Sequence, residues 1–82
     1  MNLNDLAAAV NAYTNGITVC GPWPTPTGWE LTASTCLGNG VSVTEDGVVR
    51  WISDELPRRV KSKQLPHNVD QAAETVADLV YR

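Results

Sequence analysis

The sequence predicts an α+β domain, a three- to four-stranded antiparallel meander with an N-terminal and a C-terminal helix packed on one face. Three observations predict it. Apolar residues recur at helical spacing over 3–13 and again over 69–81. Between them, apolar and polar residues alternate with the period of a half-buried strand, most clearly over 29–37. Finally, Gly38-Asn39-Gly40 and Glu45-Asp46-Gly47 break the alternating stretch where hairpin turns would fall. A chain of 82 residues has room for one core, so 1–82 reads as a single domain.

The first helix carries Leu3, Leu6, Ala7, Val10 and Tyr13 on one side. Asn2 can cap it, with Asp5 three residues later as in a weak capping box, and Asn15-Gly16 stops it. Residues 17–20, Ile-Thr-Val-Cys, read as a short strand. The stretch 21–28, Gly-Pro-Trp-Pro-Thr-Pro-Thr-Gly, has a proline at every second position. Each proline removes an amide donor and favours polyproline geometry, so the stretch cannot be an interior strand. It is expected to be a stiff exposed loop presenting Trp23.

Over 29–37, Trp29, Leu31, Ala33, Thr35 and Leu37 share one face, and Glu30, Thr32, Ser34 and Cys36 the other. Three-residue hairpin loops set Leu37 opposite Val41, Thr35 opposite Val43, Val43 opposite Val49 and Val41 opposite Trp51. The apolar face is then Trp29, Leu31, Val41, Val43, Val49 and Trp51, whereas a two-residue Asp-Gly loop would set Val43 against Arg50. The other face, Glu30, Thr32, Ser34, Ser42, Thr44 and Arg50 with Val48 and Ile52 near one end, is expected to be solvated. Only the two helices can cover the apolar face. Ser53-Asp54-Glu55 resembles a helix start, but Pro57 and Pro66 limit 53–67 to one helical turn or a loop, then a basic connector. The last helix buries Val69, Ala72, Ala73, Val76, Ala77 and Val80, is capped by Asn68 with Gln71 at its third position, and starts with Asp70, which suits its dipole.

Net charge is -3, yet four of the six basic residues, Arg58, Arg59, Lys61 and Lys63, fall within six positions. Asp70, Glu74 and Asp78 form an i, i+4, i+8 series on the last helix. A pI near 4.8 excludes a broad nucleic-acid footprint, so direct nucleic-acid binding is not expected. No apolar run reaches membrane-spanning length and no basic, apolar leader opens the chain, so the cytoplasm is the expected compartment. There Cys20 and Cys36 would stay reduced, as small buried or half-buried residues. Two cysteines and one histidine, His67, fall short of a four-ligand metal site, and no metal or cofactor is expected. His67 with either cysteine is the sole nucleophile–base pair on offer, and nothing in the sequence brings them together, so an enzyme is not expected.

Three surfaces remain as partner-binding candidates. Trp23, held between prolines, would lose little entropy on docking, though it can equally fold back as a lid on the core. Arg58, Arg59, Lys61 and Lys63 could meet phosphates or an acidic partner, or be a solvated connector. Asp70, Glu74 and Asp78 could face a basic groove, or be the wet side of an amphipathic helix. Trp29 and Trp51 read as core.

The helix–sheet–helix order is similar to the double-stranded-RNA-binding domain, a family with a lysine-rich patch at the start of its last helix. The matching stretch here, Leu65-Pro66-His67-Asn68-Val69-Asp70-Gln71, has no lysine. With its acidic composition, small size, opening Asn2-Leu3-Asn4-Asp5-Leu6 helix and acidic final helix, the chain also resembles small phage-encoded inhibitors of host machinery, such as anti-CRISPR proteins. That resemblance implies a single-domain, non-catalytic protein that binds and occludes a host protein, for example at a nucleic-acid-binding groove. Two other readings stand beside it. One is a nucleic-acid accessory module using Arg50, Arg58, Arg59, Lys61 and Lys63. The other is a structural or assembly subunit, for example a homodimer joined through the sheet edge or the Val48/Ile52 patch.

Overall fold

Each helix begins at an asparagine whose side chain accepts from an otherwise orphaned amide. In a computed structural model describing residues 1–13, 15–36, 39–53 and 55–81, Asn2 Oδ1 accepts from Asp5 N at 3.2 Å and Asn68 Oδ1 from Gln71 N at 3.1 Å. Helix α1 follows as Leu3–Tyr13 and helix α2 as Val69–Tyr81. Leu3, Leu6 and Val10 are buried on α1; Ala72, Ala73, Val76, Ala77 and Val80 are buried on α2. The small side chains of α2 let it pack closely against α1 and over the middle of the sheet.

The sheet has five antiparallel strands in sequence order: β1 (Thr18–Thr25), β2 (Gly28–Ser34), β3 (Gly40–Thr44), β4 (Val48–Ile52) and β5 (Val60–Gln64). Helix α1 lies mainly against β1 and β2, and α2 against β2 and β3. Both therefore cover one face, as the alternation predicts. Leu31, Ala33, Val41, Val43 and Val49 are buried beneath them, and Leu65 joins the same core just past β5.

Two segments expected outside the sheet are strands. Most of the proline stretch, 21–25, is the second half of β1 and not a loop, and only 26–27 form a turn, which leads into β2. An edge strand needs inward amides at only alternate positions, so prolines are tolerated there. The ladder breaks between Cys20 and Trp23, where Gly21 takes a φ of 98°. A Cβ at Gly21 would come within 3.0 Å of the Glu30 carbonyl, so the close approach of β2 requires glycine. The expected basic connector is largely β5. Its Lys61 and Lys63 stand opposite Trp51 and Val49, which hides the strand's alternation behind charged residues. No helical turn forms among the described residues of 53–59; Ser53 N donates to Arg59 O at 2.8 Å and closes that connection instead.

The β3–β4 register is the expected one, Val43 with Val49 and Val41 with Trp51, with Gly47 at φ 84° in the turn. The β2–β3 register is not. Leu31 faces Val43 and Ala33 faces Val41, and beyond the ladder Thr35 N donates to Asn39 O at 2.9 Å. The shift is an even number of residues, so every side chain keeps its expected face. Pairing Leu31 rather than Thr35 with Val43 also increases apolar contact. Val41 therefore pairs with Ala33 and not with the expected Leu37, which itself lies outside the described residues.

Candidate functional site

The helices leave the second face of the sheet uncovered, and cross-strand register fixes what it displays. One row runs Trp23, Glu30 and Thr44; a second runs Cys20, Thr32, Ser42, Arg50 and Ser62; at the β4–β5 end Ile52 lies beside Val60. Most of this face is polar and half-buried, as alternation predicts. Its β4–β5 corner is not. Ile52 is 52% exposed, Val60 67%, and Leu56 in the connection between them 87%. A shallow groove of about 410 Å³ leads inward from Ile52 and Val60 past Ser42, Thr32 and Ser34.

The basic residues border this corner. Arg58 and Arg59 are exposed immediately before Val60. Lys61 and Lys63 are exposed too, but their pairing with Trp51 and Val49 points them to the helix-bearing side. The corner thus presents apolar side chains on one side of β5 and ammonium groups on the other.

The other candidates lie elsewhere. Trp23 is 44% exposed on the open face of β1, so it is not a lid over the core. It sits at the opposite edge, about 19 Å away at ordinary strand spacing. Asp70, Glu74 and Asp78 are exposed on the outward side of α2, in the other layer. The structure brings the four basic residues together and separates them from Trp23 and from the acidic stripe. No flat surface of a partner touches all three groups at once.

A second cleft, of about 480 Å³, lies toward the β3–β4 turn and is lined by Trp29, Glu30, Thr44, Glu45, Asp46 and Arg50. Trp29 is 49% exposed there, not core as its alternation suggests, because it lies near the β1–β2 turn, at the end of the sheet. Trp51 is partly buried and packs on the core, as expected. In this cleft Arg50 Nη1 donates to Thr44 Oγ1 at 3.1 Å, and that hydroxyl donates to Asp46 Oδ1. The Thr44 hydroxyl, helped by the Val48 amide and the Arg50 charge, holds the Asp46 carboxyl below the usual aspartate range. The guanidinium is engaged within the fold by this relay.

Cys20 and Cys36 are free thiols, and both are exposed rather than buried or half-buried. Cys20 points to the open face of an edge strand, and Cys36 lies past the end of β2, where no layer covers them. Among the described residues no group of three or more His, Cys, Asp or Glu is placed to hold a metal ion, and no helix is long and apolar enough to cross a membrane.

Sequence reasoning missed Leu56 and Val60. The signal was present: Val60, Ser62 and Gln64 alternate with Lys61 and Lys63, the period of a strand, but the charges drew attention instead. Comparison with known proteins gives no match to any protein-family model, curated protein or solved structure. Fold and surface together define a class: a two-layer α+β domain with one open sheet face, apolar at one corner and basic along the adjoining edge.

Proposed function

We propose that the chain is a non-catalytic protein-binding module, most concretely a small phage-type inhibitor that covers a working surface of a host protein. The observation that carries this reading is the exposed apolar corner Ile52, Leu56 and Val60, flanked by Arg58 and Arg59. Large aliphatic side chains left this open on a small domain favour burial against a partner, at roughly 25 cal/mol per Å² of apolar surface covered. Arginine beside them adds charge selection and faster encounter. Trp23 would serve as a secondary anchor for a partner broad enough to cross the sheet. The acidic stripe on α2 would remain in water or meet a separate surface.

The basic edge favours a second reading, a nucleic-acid accessory module. Against that reading, one Arg50 donor is committed to Thr44 and the chain carries net charge -3. One experiment separates the two. Tagged protein is incubated with host lysate, with and without nuclease, beside an Ile52→Ser, Leu56→Ser, Val60→Thr variant whose fold is checked by circular dichroism. The protein-binding reading predicts one stoichiometric protein that survives nuclease and is lost with the variant. Recovery of material only without nuclease, weakening log-linearly with salt, would reverse it.

A further inference from the structure

We infer that β5 is a strand-addition site that accepts an extended acidic segment of a protein partner as a sixth strand. The inference rests on the protein-binding reading above and names the partner chemistry. The two edges of the sheet differ. β1 is blunted by Pro22 and Pro24 and by the irregularity at Gly21, features that resist further pairing. β5 has no proline and no irregularity, and all five of its residues are exposed.

Backbone geometry gives the edge its donors and acceptors. Ser53 N donates to Arg59 O at 2.8 Å and Leu65 N to Gly47 O at 2.8 Å, so the odd-numbered residues of this strand turn their backbone groups toward β4. Val60, Ser62 and Gln64 therefore turn theirs outward, a regular row for a new strand to meet. Side chains then select the occupant. On the helix-bearing side, Lys61 and Lys63 would stand beside the added strand, and glutamate or aspartate at its alternate positions would neutralise them. On the open side, Val60 extends the apolar row of Ile52, so the intervening positions would be β-branched or apolar. A second copy is disfavoured: antiparallel self-pairing centred on Ser62 sets Lys61 against Lys63 of the other chain, like charges directly opposed. This is recognition by strand augmentation, with main-chain bonds for affinity and alternate side chains for specificity.

The probe is a synthetic ten-residue peptide alternating glutamate and valine, beside one alternating lysine and valine. The acidic peptide should slow amide exchange at Val60, Ser62 and Gln64, and the basic one should not. Ser62→Pro removes one outward amide without touching the β4 ladder, and should weaken the acidic peptide about tenfold. Lys61→Glu with Lys63→Glu should reverse the preference between the peptides. Binding that leaves those amides unprotected and ignores Ser62→Pro would reduce the edge to simple charge attraction and overturn the inference, as would no binding at millimolar peptide. Dimerisation through β5, or displacement of the peptide by oligonucleotide with strand-like protection absent, would overturn it as well. If the lysate partner is still lost with the Ile52, Leu56, Val60 variant while the peptide fails, the protein-binding reading stands and only the edge inference falls.

Discussion

At Asp46, three neighbours converge on one exposed carboxylate: the Thr44 hydroxyl first, then the Val48 amide and the Arg50 guanidinium. All three favour its charged form, so its folded pKa is depressed relative to the unfolded chain. The stability this gives is present above the ordinary aspartate value and is lost as pH falls through the depressed one. Titration followed by NMR should therefore place Asp46 below the ordinary aspartate value. Thr44→Val should return it toward the ordinary range and flatten the acid limb of the stability curve; an unchanged Asp46 midpoint in that variant would show that the relay does not set it. The same relay commits one Arg50 donor and fixes where its guanidinium sits, leaving its other donors facing the cleft. Sequence placed Arg50 and Thr44 on the same solvated face, but no spacing rule foretells a threonine hydroxyl shared between an arginine and a turn aspartate.

Among the elements, the helices carry much of the core. Leu6 is fully buried where α1 meets α2 and the sheet. Leu6→Ala should cost about 3 kcal/mol in urea unfolding, a large share of the stability of a small domain. Asp78→Ala on the exposed stripe should change it by less than about 0.5 kcal/mol. Equal effects would mean that the stripe is packed rather than solvated. The helices were legible because a capping asparagine and the 3.6-residue period both mark them. The β3–β4 hairpin was legible because Gly47 supplies the left-handed turn residue and an odd shift would have exposed Val43. The β2–β3 register was not, since an even shift preserves both faces and only the choice among Thr35, Ala33 and Leu31 distinguishes the alternatives. The first half of β1 was legible in 17–20, but its second half and β5 were hidden for opposite reasons: prolines argue against interior pairing but permit an edge, and lysines on alternate positions obscure a strand's period.

Across the whole molecule, the helices and the core occupy one side, and the binding candidates separate accordingly. The basic segment, Trp23 and the acidic helix were each visible as sequence features. Their arrangement depends on strand order, which puts Trp23 and the basic segment on opposite edges and leaves the acidic stripe in the other layer. The apolar corner depends on the same order, because Ile52 and Val60 become neighbours only once β5 pairs with β4. The central claim is that this corner, with the edge beside it, is the surface that meets a protein. Its most direct test is a hydrogen-exchange footprint of the protein bound to the partner captured from lysate. Protection should appear over 52–64, with Asp70 to Asp78 on α2 exchanging as in the free protein. Protection confined to the outward face of α2, with 52–64 unchanged, would contradict it.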